Sequence, residues 1–326
     1  MQDNDFVRSS LRLMQRWTPD AIKISANKLR PAWLPNGDAF ELREPSDAPA
    51  SPATLGRLGP LEVRLARSRK DIKRAQRLRY NVFYRDGAAI ADARTLLARR
   101  DKDTFDRICD HLLVIDHAAA QRPLDGARPF KRKPPVVGTY RLLGQDAADR
   151  HGGFYTENEF DVGGLIDRHR SLRFLELGRS CVLPPYRNKR TVELLWHGIW
   201  TYVRRHRFDV MIGCASLDGT EPDRLALQLS FLHHYARASL EWRASAHGGR
   251  RIEMNRMPKD AINPKAALHE LPPLLKGYLR LGAFVGDGAV IDYQFGTTDV
   301  LVILPVAAIN SRYIQHFGAA AERHAA

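Results

Sequence analysis

Residues 174–205 read FLELGRSCVLPPYRNKRTVELLWHGIWTYVRR, and three signals in that run set the fold. Phe174 to Val182 is a short apolar-rich segment stopped by Pro184-Pro185, which predicts a strand. Val192, Leu195, Ile199 and Val203, with Trp196 and Trp200 beside them, recur at helical spacing and leave charge for an outer face. Between the two lies a cationic loop, Arg187-Asn188-Lys189-Arg190, with Thr191 as the expected N-cap. A strand, a basic turn and a helix N-terminus together can cradle an anion, because the first helical turn carries unpaired N–H groups and the positive dipole end. Glu176 and Arg179 stand out as ionisable groups inside an apolar strand. Burying them is costly unless they are paired, so they mark either a salt bridge or a site.

Outward from this centre the pattern is an alternation of strands and helices. Leu61 to Ala66 alternates as a strand, and Arg69 to Tyr84 reads as a helix with Ile72, Ala75, Leu78, Val82 and Phe83 on one face. The segments HLLVIDH (111–117) and VVGTYRLL (136–143) predict a hairpin, and FDVMIGCA (208–215) predicts a buried strand after the central helix. Residues 144–173 and 86–106 read as polar connections, 221–236 as a helix, and Arg251 to Met254 as a short strand. A helix over Pro272 to Leu281, stopped by Gly282, and strands near 284–292 and 299–304 complete the set, with Gly286-Asp287-Gly288 read as a strand turn. The expected fold class is α/β: a mixed sheet with helices on both faces. Residues 1–60 read as a basic appendage and a Pro-rich linker, 61–310 as the globular domain and 311–326 as a tail. In the appendage, Phe6 to Trp17 has the pattern of a small amphipathic helix, suited to a membrane surface or to packing on its own chain.

Composition narrows the function. At 44% hydrophobic and 27% charged residues the chain is of ordinary globular type, and its formal charge of +14 points to an acidic partner. Nucleic acid fits that charge, but the basic runs 131–133 and 187–190 contain no aromatic residue for bases to stack on, so nucleic acid is not expected. Three scattered cysteines in apolar runs suit reduced thiols in the cytoplasm, and no apolar leader opens the chain. The longest apolar run, Val300 to Ile309, is broken by Pro305 and reaches about half a membrane span, so any membrane contact is expected to be peripheral. The serine-elbow, phosphate-loop and zinc-protease motifs are missing, and the adjacent His233 and His234 cannot both face one metal.

A scattered polar set is more informative: Arg79 and Phe83 four apart, Asp103 and Asp106 three apart, Arg141 inside VVGTYRLL, and Glu176 with Arg179 inside ELGR. A purely structural Arg–carboxylate network is one reading of these residues. The other comes from a resemblance. The spacing R-x-x-x-F, D-x-x-D, G-x-Y-R-L-L, E-L-G-R is similar to that of the acyl-homoserine-lactone autoinducer synthases, which are built on the GNAT acyltransferase fold. The longer run ELGRSCVLPPYRNKRTVELLWHGIWTYVRRHRFDVMIGCAS, with the later LSFLHHY, resembles more closely the ornithine-lipid branch, the L-ornithine Nα-acyltransferases. The match covers about residues 61–305.

The resemblance implies an acyltransferase that moves a 3-hydroxylated fatty acyl chain from acyl carrier protein to the α-amine of L-ornithine, giving lyso-ornithine lipid. It implies no metal and no cofactor beyond the carrier's phosphopantetheine. Glu176 and Arg179 become the catalytic pair, with Arg79, Phe83, Asp103, Asp106 and Arg141 around the amino substrate. In that reading Glu176 takes the amine proton, Arg179 or Arg141 holds the substrate carboxylate, and Asp103 or Asp106 holds the second ammonium. A tryptophan that follows the phenylalanine in the synthases is absent here, where 84–93 read YRDGAAIADA. The loop also departs from the wider GNAT pattern Q/R-x-x-G-x-G/A: Arg190 and Val192 stand where small residues admit a pyrophosphate. Arg187, Asn188, Lys189, Arg190 and Thr191 are therefore expected to meet a carrier's phosphopantetheine and its acidic surface. A different acceptor, another amino acid or S-adenosylmethionine, is the alternative.

Overall fold

The computed structural model describes residues 54–119 and 133–309. The appendage up to residue 53, most of the basic loop before Lys133, and the C-terminal tail lie outside the described residues. Nine strands form one mixed sheet in the order β1-β2-β3-β4-β5-β6-β9-β8-β7. They are β1 (Thr54–Leu58), β2 (Leu61–Leu65), β3 (Asp110–Asp116), β4 (Val136–Gly144), β5 (Phe174–Val182), β6 (Val210–Asp218), β7 (Arg251–Ile252), β8 (Phe284–Asp292) and β9 (Thr297–Pro305). The helices are α1 (Arg69–Tyr80), α2 (Ala93–Ala98), α3 (Gln145–Arg150), α4 (Val162–Arg168), α5 (Lys189–His206), α6 (Ala226–Tyr235), α7 (Pro264–Glu270) and α8 (Pro273–Leu281).

β1 corrects the domain boundary. The segment TLGRL contains no proline, lies inside the stretch read as a linker, and pairs antiparallel with β2. The prolines flank it rather than interrupt it. Gly286-Asp287-Gly288 is likewise not a turn: it lies within β8, at an irregularity in its pairing with β9.

Alternation in the strands explains the two helical layers. Leu112 and Val114 of β3 join the core under α5, while Leu113 and Ile115 join Ala75 and Leu78 of α1 on the opposite face. α5 presents Leu195, Trp196, Ile199, Trp200 and Val203 inward, but Val192 is 45% exposed at the margin of the stripe. Gly198 lets this helix lie close to the sheet, since a Cβ there would stand 2.7 Å from Val63 Cγ2. The helix is capped by Asn188 rather than by Thr191. The Asn188 side chain accepts from the Thr191 N–H at 3.1 Å, which places Thr191 in the first turn.

All neighbouring strands run antiparallel except β5 and β6, which α5 connects as a crossover. Their pairing ends at Glu176↔Ile212, although β6 continues alongside β9 as far as Asp218. A Cβ at Gly213 would collide with the Leu177 carbonyl oxygen, so a glycine is required where the two strands part. The result is a wedge between parallel strands at their carboxyl ends, which opens beside Glu176 toward the cationic loop.

Candidate active site

Three arginines, from α1, β4 and β5, converge on three aspartates of the run 101–106. Arg79, near the end of α1, grips both oxygens of Asp106 at 2.8 Å and sets its Nε 2.7 Å from Asp101 Oδ2. Gln76 adds an N–H to Asp106 Oδ2 at 2.9 Å. Burial disfavours the charge on Asp106, but the Arg79 fork, together with Arg141, holds its carboxyl down at about 2. Arg79 is only 1% exposed and its fork is occupied. This half of the network braces the first helix to the loop 101–106. Both oxygens of Asp106 are thus engaged by the Arg79 fork.

The other half centres on Asp103. Arg141 of β4 holds Asp103 at 2.6 Å, and its Nη2 has no hydrogen-bond partner among the described residues. Arg179 reaches Asp103 at 3.3 Å and Asp101 at 3.4 Å. It does so from a bulge: Thr139 pairs with Cys181 but Arg141 with Gly178, which leaves one residue too many in β5. Arg179 takes up the excess with φ 49°, a left-handed conformation unusual for arginine. Such strain persists where the surroundings over-determine it, often at a site.

Glu176 is different in kind. It is 3% exposed, its Oε2 accepts from the Thr156 backbone N–H at 3.0 Å, and no ion pair is recorded for it among the described residues. Burial pushes its carboxyl up, against the pull of that N–H and of the more distant Arg141. Glu176 is thus held by a backbone N–H rather than by a salt bridge among the described residues.

The 3-10 turn Tyr155–Asn158, read in the sequence only as part of a polar connector, organises the rest. Tyr155 lies under both guanidiniums, with its ring centroid 4.7 Å from Arg179 and 5.4 Å from Arg141. Phe295, from the β8–β9 turn, covers Arg179 from another side at 4.9 Å and meets Phe83 edge-on at 5.6 Å. Just past the turn, Glu159 sets an oxygen 3.4 Å from Cys214 Sγ, and the ligand atoms of Glu159, Cys214 and Asp299 all lie within 4.8 Å of one another. Tyr155 and Glu159 also line a cavity of about 570 Å³ with Arg250, Arg251, Asp292 and Gln294.

Burial, and then the neighbouring Asp299, raise the Glu159 carboxyl to about 7. Because its folded value lies above the unfolded one, the folded chain binds the extra proton, and stability is lost as pH rises from about 4.5 through 7. We expect Glu159→Gln to melt higher than the parent at pH 8 and level with it at pH 4.5. Melting curves at the two values check this, and an equal difference at both would refute it.

The loop residues are placed less uniformly than their expected common role. Arg187 donates to the Val182 carbonyl at 3.1 Å, Asn188 caps the helix, and Lys189 lies 3.6 Å from Glu193. The Arg190 guanidinium lies beside Gly59 of the β1–β2 turn, and Thr191 is buried. Arg187, Lys189 and Arg190 nevertheless keep the surface around the α5 N-terminus exposed and cationic.

The acetyltransferase (GNAT) domain profile matches residues 78–197, from α1 into α5. Among solved structures, FeeM, an N-acyl amino acid synthase from uncultured soil microbes, has a TM-score of 0.41 at 10% identity, covering 77% of this chain and 93% of that one. The L-ornithine N(alpha)-acyltransferase of Brucella abortus is 54% identical over 269 residues, 82% of this chain and 92% of the relative. That of Agrobacterium fabrum is 51% identical over 269 residues, 82% of this chain and 89% of the relative. With 51–54% of the 269 aligned residues identical, over 89–92% of the relatives' length, the chain belongs to the L-ornithine Nα-acyltransferase family, within the GNAT-type acyltransferases.

Proposed function

We propose that the protein transfers a 3-hydroxylated fatty acyl chain from acyl carrier protein to the α-amine of L-ornithine, releasing lyso-ornithine lipid. The observation that carries this reading is Glu176: a buried, proton-attracting carboxylate without a guanidinium partner among the described residues, set where β5 and β6 part. The pantetheine arm lies in the wedge, and the thioester carbonyl meets backbone N–H groups of β5. The amine nitrogen bonds to the carbonyl carbon and its proton passes to Glu176, directly or through a water. The tetrahedral intermediate then collapses, the C–S bond breaks, and the proton is returned to the departing thiolate. No metal or further cofactor takes part.

The open Nη2 of Arg141 suits the substrate carboxylate. With Asp103 and Asp106 gripped by arginines at 2.6 Å and 2.8 Å, the distal ammonium goes instead to Asp299 and to Glu159, whose Oε1 lies only 3.5 Å from Arg250, and binding there draws the proton off Glu159. Arg190 and Val192 in place of small loop residues disfavour a pyrophosphate, and a net charge of +14 favours an acidic carrier.

Rates with one acyl chain presented on carrier protein and on coenzyme A test the donor. We expect the carrier thioester to be used at least tenfold better at low salt. That advantage should shrink as salt is added, because charge attraction is screened over about 8–10 Å at physiological ionic strength. Equal rates from coenzyme A at all salt concentrations would overturn the donor assignment.

We place the reaction at the cytoplasmic face of the membrane. No helix among the described residues is long and apolar enough to cross a bilayer, so the contact in this reading is peripheral.

A further inference from the structure

The segment between α1 and the aspartate loop has an unusual surface. α2 is capped by Asp92, whose side chain accepts from the Thr95 N–H at 2.7 Å, yet none of its residues is buried. Its two leucines point outward: Leu97 is 89% exposed and Leu96 55%, and Ile90 just before the helix is 69% exposed. A six-residue helix has little stability of its own, and its two adjacent exposed leucines, with Ile90, present apolar surface to a partner.

The polar surroundings are cationic. Arg94, Arg100, Lys102 and Arg107 line a cavity of about 450 Å³ beside this helix, and Arg99 ends the helix. Of the nearby acids, Asp92 is spent on the cap, and Asp101 and Asp103 turn inward to the arginine cluster. The segment also touches the site at both ends. The Ile90 N–H donates to the carbonyl of Gln294, which lines the larger cavity, at 2.7 Å, and Asp103 holds Arg141 at 2.6 Å.

We propose that residues 90–107 form a membrane-docking surface, in which Ile90, Leu96 and Leu97 enter the acyl boundary of a bilayer. Arg94, Arg99, Arg100, Lys102 and Arg107 then meet its anionic headgroups. The proposal rests on the reaction read above in one respect, that the product is a single-chain lipid formed beside this segment. Apolar side chains that stand out from a basic surface, rather than line a groove, suit insertion into lipid. An acidic carrier protein would be matched by the cations alone.

The test is flotation of the full chain with vesicles of phosphatidylcholine, with and without phosphatidylglycerol. The unmodified protein should bind the anionic vesicles at least tenfold more tightly. Leu96→Glu/Leu97→Glu should lose most of that binding, and Leu96→Phe/Leu97→Phe should retain it. Both variants should keep the parent melting temperature and the parent rate on a soluble carrier thioester. Three results would overturn the proposal: undiminished vesicle binding by the glutamate variant, a raised KM for carrier thioester with vesicle binding intact, or a lowered melting temperature showing that the leucines pack on their own chain. Acyl transfer is read separately, so absence of ornithine acylation would sink the reaction while vesicle binding still decides the surface.

Discussion

Replacing Glu176 by glutamine is expected to leave the protein folded and to slow acyl transfer by about 10²-fold or more. Glutamine keeps an oxygen to accept the Thr156 N–H, which Glu176 receives at 3.0 Å, so the local backbone has no reason to move. What is lost is a group able to take a proton. Since Glu176 forms no recorded ion pair among the described residues, its removal strands no buried arginine, and the melting temperature should hold or rise as a buried ionisable group is removed. Turnover and melting measured on one preparation separate the roles. A normal rate with a fallen melting temperature would return Glu176 to a structural part.

Arg79→Met is expected to do the opposite. Arg79 is buried between Asp106 and Asp101, at 2.8 Å and 2.7 Å, and taking it away leaves two buried carboxylates without their main cation. Breaking such a pair from one side costs about 3–5 kcal/mol. Urea denaturation should show that loss, and Arg79→Met/Asp106→Leu should recover a large part of it, because no isolated charge then remains. A single variant as stable as the parent would show that the pair is not the brace described above.

The contrast between these residues was only partly legible in the sequence. Apolar period alone placed β5, α5 and the hairpin β3–β4, because burial on one or both faces leaves a repeating trace. Charges inside apolar strands drew attention to Arg141, Glu176 and Arg179 for a sound physical reason. Period could not divide Asp103 and Asp106 from Asp101, since all three lie in one short irregular run. Nor could it divide braced residues such as Arg79 from those gathered on Asp103. Tyr155, Thr156 and Glu159 sit in a turn without periodicity, brought to Glu176 and Cys214 by the fold rather than by spacing. Asp299 arrives through the pairing of β6 with β9, where it lies opposite Ser216. The one available trace was an acid at the head of an apolar strand. The bulge at Arg179 left no mark either, because left-handed backbone is usually announced by glycine or asparagine.

The central claim is acylation of the α-amine of a substrate with a second, distal ammonium. The most direct measurement supplies a 3-hydroxyacyl carrier thioester to purified protein with ornithine, norvaline or S-adenosylmethionine, and identifies the products by tandem mass spectrometry. The account expects α-N-acylornithine as the main product. Norvaline, which brings no ammonium to the proposed site at Glu159 and Asp299, should react at least tenfold more slowly. Norvaline reacting as well as ornithine, a δ-amide, or a lactone released from S-adenosylmethionine in preference would contradict it.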